Sequence, residues 1–385
     1  MGRVRTIALV SALLAGPAIS QAQVYASALH DYRVDTVASG LVNPWSMAFL
    51  PGGDMLVTER SGRLRIVRGG KLRAEPVAGV PQVVALGQGG LFDVVLHPNF
   101  ASNRLIYLSF SKPTGDSAAA TTAVVRGKWE NDRLTGVEEV FVAVSRGATG
   151  HYGARLAFDR SGYLFITVGD RMVPSTGDLA AHPAQDLSNH HGKTIRLHDD
   201  GRVPTDNPFV GKEGARPEIW SYGHRNSQAI AVHPETGDVW ETEHGPQGGD
   251  ELNLIRPGLN YGWPVIGFGV NYRTGAAIHG GTLRDGMEQP VYLWVPSIGV
   301  SGMMIYTGDK FPAWKGSLFA GGLAGEQLVR LTLDGKRAEM ADVLLRRQGR
   351  IRDVRQGPDG FIYVAIDNRQ GAPTPIVRLK PVARR

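Results

Sequence analysis

Ala157-Phe158-Asp159-Arg160-Ser161-Gly162-Tyr163-Leu164-Phe165-Ile166 is the stretch that decides the fold. An apolar pair runs into an Asp/Ser/Gly turn and a short β-prone run follows, the signature of a hairpin. The pattern recurs in Ala48-Phe49-Leu50-Pro51-Gly52-Gly53-Asp54-Met55-Leu56-Val57 and in Leu96-His97-Pro98-Asn99 leading to Leu105-Ile106-Tyr107-Leu108. It returns in Ala231-Val232-His233-Pro234-Glu235-Thr236-Gly237-Asp238-Val239-Trp240 and in Gly357-Pro358-Asp359-Gly360-Phe361-Ile362-Tyr363-Val364. A weaker copy is Phe311-Pro312-Ala313-Trp314-Lys315-Gly316-Ser317-Leu318-Phe319.

Six hairpins give about sixty residues each, more than the ~40–45 of a plain four-stranded propeller blade. The surplus fits loops inserted on one face, where propellers place their sites. Helical periodicity is weak throughout, and no G-x-G-x-x-G or Walker-type loop follows a strand. The expectation is an all-β chain forming a single six-bladed β-propeller of four-stranded antiparallel blades, with long loops on one face. A pair of β-sandwiches does not predict six hairpins of one style.

Composition agrees. The 385 residues include 50 Gly, nearly twice the usual share of ~7%, and so many turn formers argue for tight connections. There is no Cys, which excludes disulfides, thiolate catalysis and Cys-ligated metals. The formal charge of +6 is scattered, without the basic runs that mark nucleic-acid patches. Arg3 and Arg5, the apolar run from Ile7 to Ala15, and small Ser20 and Ala22 predict a signal peptide over residues 1–22. The propeller domain is then 23–385, in a periplasmic or secreted protein. That apolar run is too short to span a membrane, and no stretch of ~20 apolar residues follows.

Four segments carry more chemistry than a scaffold needs. Gly87-Gln88-Gly89-Gly90-Leu91-Phe92-Asp93 surrounds one amide with glycines, suiting either close approach to a ligand or a sharp turn between blades. Gly150-His151-Tyr152-Gly153 places an imidazole just before the third repeat. Ser221-Tyr222-Gly223-His224-Arg225-Asn226-Ser227-Gln228 is a polar cluster just before the fourth. Glu243-His244-Gly245-Pro246-Gln247-Gly248-Gly249-Asp250-Glu251 combines paired acids with carbonyls freed by Gly and Pro, and Tyr261 lies ten residues beyond Glu251. Those are ligand types of Ca²⁺, which takes six to eight oxygens. Near the C-terminus Arg350-Ile351-Arg352-Asp353-Val354-Arg355 alternates in strand style, so Arg350, Arg352 and Val354 should share one face. Two guanidinium groups there repel unless an anion lies between them, or the strand is a charged, solvated edge.

Together these segments resemble the soluble quinoprotein sugar dehydrogenases, the glucose/sorbosone dehydrogenase family, and within it the bacterial aldose sugar dehydrogenase branch. The resemblance runs in order from Leu41-Val42-Asn43-Pro44-Trp45 to Asp359-Gly360-Phe361-Ile362-Tyr363. It implies a six-bladed propeller that oxidises the anomeric C–OH of aldoses to lactones by hydride transfer to pyrroloquinoline quinone (PQQ), with Ca²⁺ at the quinone. By position it implies His151 as general base, with Gln88, Arg225, Asn226, Tyr272, Gly322, Leu323, Ala324, Arg350, Ile351 and Arg352 at the cofactor. Gly245 and Pro246 match carbonyl ligands of the quinone-site Ca²⁺, while Glu251 and Tyr261 match ligands of a second, structural ion. Ala324 stands where relatives often have Lys, and Gly150 where the glucose-specific branch has Asp. With no Cys for a haem-attachment motif, electrons must leave to an external acceptor. The chain should be a monomer or homodimer. Two other readings are a Ca²⁺-dependent propeller lactonase or esterase, and a non-catalytic extracellular binding propeller.

Overall fold

The computed structural model describes residues 23–115 and 119–383. The expected signal segment 1–22 lies outside the described residues. The six hairpins become the first two strands of six blades. In the third blade Leu156–Phe158 pairs with Leu164–Val168. Its turn is held by the Asp159 carboxylate, which accepts the N–H of Ser161 at 2.8 Å and of Tyr163 at 2.9 Å. Gly162, at φ +83°, supplies the left-handed residue that the reversal needs. The other first and second strands are Pro44–Phe49 with Met55–Glu59, Leu91–Leu96 with Leu105–Pro113, and Ser227–Val232 with Val239–Glu243. Val300–Ile305 with Leu318–Gly322 and Arg350–Gln356 with Ile362–Asp367 complete the ring.

Each sheet is antiparallel and four-stranded, except that the last gains a two-residue strand, Val24–Tyr25, at its edge. That last sheet closes the ring. Asp31–Val42, from the start of the described chain, pairs with Pro373–Val382 from its end, so the last blade is built from both ends of the described chain. Second strands such as Met55–Glu59, Leu164–Val168 and Val239–Glu243 are buried at every position, because neighbouring blades cover both of their faces. Aromatic clusters fill the gaps between blades, as where Phe311 stacks on Trp314 with centroids 4.4 Å apart.

Around the axis the chain buries an ionic cluster. Arg155 donates to Asp353 at 2.9 Å and lies 3.6 Å from Asp93, while Arg355 contacts Asp93 at 3.1 Å and Asp353 at 2.9 Å. Two guanidinium groups and two carboxylates balance, which is the condition under which buried charge is tolerated.

Candidate active site

In antiparallel blades the start of the first strand and the end of the second lie at the same edge, opposite the connecting turn. Every chemically unusual segment falls at that edge. His151 and Arg225 precede first strands, Asp170 and His244 follow second strands, Arg350 opens its strand and Asp367 ends one. The long loops therefore gather on one face.

That face holds a cavity of about 250 Å³ whose wall includes Gln88, Asn226, Leu323, Arg350 and Arg352. It brings together residues up to 264 positions apart that the sequence assigned to a cofactor. An adjoining space of about 260 Å³ is bordered by His151, Arg225, Tyr272 and Pro246. Ala324 borders an outer space shared with Arg350 and Arg369. Gly322 and Ile351 face none of these. Gly322 is spent in the ladder, paired with Val300 and Gln327, and the Ile351 side chain is fully buried in the core between blades.

The expected alternation along the arginine strand fails at one point. A register shift between Ile351 and Asp353 bulges the strand, so Val354 turns into the same apolar cluster as Ile351 instead of joining Arg350 and Arg352. The expected anion between the two arginines exists in the chain itself. Asp367 Oδ2 lies 3.5 Å from Arg350 Nε and 3.9 Å from Arg352 Nη2, with Asn43 Nδ2 donating to Oδ1 at 2.9 Å. Arg352 also donates to Gln228 Oε1 at 3.1 Å. Burial, outweighing Asp367, presses its guanidinium down to about 10.

His151 is held in a left-handed conformation, φ +48°, which a non-glycine residue keeps only when its surroundings fix it. Gln88 Oε1 accepts its N–H at 2.9 Å, and its Nδ1 lies 2.6 Å from Asp170 Oδ1. Asp170 in turn accepts Trp263 Nε1 at 2.8 Å and the Met172 N–H at 2.9 Å. Burial lowers the imidazole below its ordinary range, Arg225 and Arg171 act in the same direction, and Asp170 opposes them. The environment thus favours the neutral ring. A β-carbon at Gly150 would come 2.3 Å from Met172 Sδ, so a side chain there requires the flexible Met172 to move aside. The thioether occupies the space that the departure at 150 vacates.

Arg225 donates to the carbonyls of His244 at 3.1 Å and Gly245 at 2.8 Å, and its buried Nε has no partner among the described residues. Tyr272, 64% exposed, also donates to the Gly245 carbonyl at 3.3 Å. Gly245, Pro246, Glu251 and Tyr261 border one small cavity of about 20 Å³, the order of space one water or ion fills. The Tyr261 hydroxyl is already committed, donating to the Leu254 carbonyl at 2.7 Å and accepting the Arg256 N–H at 2.9 Å. That leaves its main-chain oxygen, which accepts no backbone hydrogen bond among the described residues, as the atom open to a metal ion. Glu251 accepts Asn253 Nδ2 at 3.1 Å. Burial, with the Glu243 charge adding, raises its carboxyl well above the usual range.

Sequence reasoning missed Asp170, Asp367, Arg60 and Arg369. A Gly-Asp or Asp-Asn pair at a strand end reads as turn chemistry. Only the fold shows that these ends converge.

The glucose/sorbosone dehydrogenase family model matches residues 41–378. Aldose sugar dehydrogenase YliI of Escherichia coli K12 is 44% identical, over 95% of both chains. The apo-form crystal structure of the soluble aldose sugar dehydrogenase from Escherichia coli superposes with a TM-score of 0.85 at 42% identity, covering 91% of this chain and 100% of that one. The PQQ-bound form of the aldose sugar dehydrogenase from Streptomyces coelicolor superposes with a TM-score of 0.71 at 29% identity, over 93% and 100%.

Proposed function

The chain belongs to the glucose/sorbosone dehydrogenase family, and on that premise we propose that it oxidises the anomeric C–OH of aldoses to lactones with PQQ and Ca²⁺. Electrons pass to an external acceptor. The observation that carries the reading is His151 hydrogen-bonded to Asp170 and opening beside an arginine-lined cavity.

The residues suit both groups. PQQ bears three carboxylates, and Arg350, Arg352 and the unpartnered Nε of Arg225 are the forked, charged donors that carboxylates and quinone oxygens favour. Ca²⁺ requires oxygen ligands, and the carbonyls of Gly245 and Pro246 lie outside the strand ladders and accept only side-chain donors. Glu251, with the Tyr261 carbonyl, suits a second ion.

PQQ, when bound, supplies the two-electron acceptor for the hydride that leaves C1. His151 Nε2 takes the hydroxyl proton, because Nδ1–H is directed to Asp170. Asp170 holds that tautomer and stabilises the imidazolium as it forms. Arg225, fixed by two carbonyls, places positive charge where negative charge develops. The products are a lactone, a proton on His151 and a reduced cofactor.

A lactonase would hold its metal on side-chain carboxylates near the axis. The axis instead carries the Arg155/Arg355 cluster, which is balanced internally by Asp93 and Asp353. The signal features of residues 1–22 support export to the periplasm or beyond. The test is to reconstitute purified protein with PQQ and Ca²⁺ and assay dye reduction with aldoses beside lactone hydrolysis. PQQ-dependent dye reduction supports the reading, and PQQ-independent lactone hydrolysis overturns it.

A further inference from the structure

The cavity that holds Gln88 and Asn226 is ringed by four arginines, Arg60, Arg350, Arg352 and Arg369, and Asp367 is the one carboxylate on its wall among the described residues. The Arg155/Arg355 cluster beneath is internally balanced by Asp93 and Asp353. Glu326 lies only on the outer space. The arginines of the wall therefore exceed its carboxylate by three charges, an excess of the sign that a polycarboxylate takes up.

The two arginines that sequence reasoning missed are the least committed. The Arg369 side chain makes no hydrogen bond or ion pair among the described residues. Arg60 uses one nitrogen, Nη1, on the Gly87 carbonyl and leaves the rest of its fork open. Both oppose the charges beside them, Arg369 acting on Arg350 and Arg60 on Arg352. Guanidinium groups crowded without counter-ions raise the energy of the ligand-free chain, and an anion relieves it.

We infer that Arg60 and Arg369 are binding residues for the carboxylates of the anionic cofactor, acting beside Arg350 and Arg352, with Asp367 setting the wall's excess charge at three. This rests on the PQQ reading above. Arg60 reaches the cavity from one residue past the second strand of the first blade, and Arg369 from two residues past the second strand of the last. The cofactor is thus gripped across the seam between the first and last blades.

The experiment is calorimetric titration of PQQ, with Ca²⁺ present, into apoprotein of wild type, Arg369→Gln, Arg60→Gln and Arg60→Lys, at low and high salt. Thermal melts of each apoprotein accompany it. Arg369 is exposed, so Arg369→Gln should melt with wild type yet bind PQQ about tenfold more weakly, with a shallower salt dependence. Arg60→Gln should show a similar loss, and Arg60→Lys should recover part of it. Wild-type binding with an unchanged affinity and salt dependence in Arg369→Gln overturns this inference alone. Failure of wild type to bind PQQ overturns the PQQ reading, and this inference with it.

Discussion

His151 Nδ1 lies 2.6 Å from Asp170 Oδ1, both side chains are almost wholly buried, and Trp263 and Met172 fix the carboxylate from its other sides. This places the free Nε2 toward the space bordered by Arg225 and Tyr272. An imidazole oriented this way, with its neutral form favoured by burial, is placed to accept a proton at Nε2.

His151→Gln should therefore leave PQQ affinity within about twofold while lowering turnover by ~10²–10⁴-fold, the usual worth of a positioned base. Asp170→Asn should also cut turnover, because an amide N–H facing Nδ1 forces the proton onto Nε2. Steady-state rates with PQQ and Ca²⁺ saturating read both, and near-normal turnover in either variant removes that residue from the mechanism.

The pH dependence has a definite sign. Burial first, then Arg225 and Arg171, lower His151 below 6.5, and Asp170 opposes them. The acid limb of kcat/KM should thus fall below pH 6.5, and Asp170→Asn should move it lower still. The folded-state value lies under the unfolded one, so the unfolded chain takes up the proton more readily and stability is lost as pH falls below 6.5. His151→Gln should lose less stability between pH 7 and about pH 5 than wild type, read from denaturant midpoints. An equal loss contradicts this.

Arg352 costs stability when charged, because burial presses it to about 10 from 12.5. Arg352→Gln relieves that cost and gives up the bond to Gln228. The apoprotein should accordingly melt no lower than wild type, while PQQ binding weakens by about ten- to a hundredfold. A lower melting temperature with unchanged affinity would make Arg352 a purely structural residue.

The architecture was legible because one hairpin style repeats, and all six copies are the first-to-second strand turns of blades. His151, Arg225, Arg350 and Arg352 were legible because each stands in a segment whose residue types a scaffold does not require. Asp170 and Asp367 were not, since each is a single acid at a strand end, and its meaning comes from a partner over a dozen positions away. The bulge at Arg352 was equally hidden, because ideal alternation puts Val354 beside the arginines and only blade packing turns it inward.

Glu251→Ala should lower the melting temperature and abolish its rise on adding Ca²⁺, while residual activity with PQQ and excess Ca²⁺ persists. Thermal melts with and without chelator decide. A melting temperature and Ca²⁺ response like those of wild type rule Glu251 out as a ligand.

The central claim is that His151 draws a proton from an aldose bound beside the PQQ cavity, and one measurement tests it most directly. PQQ-loaded protein, with Ca²⁺ and no electron acceptor, is mixed anaerobically with an aldose while the quinone absorbance is followed. Wild type should show a single stoichiometric reduction, one sugar per bound PQQ, and His151→Gln, equally loaded, should show that reduction slowed by at least ~10²-fold. Equal rates in the two proteins, or no reduction in wild type, would contradict the account.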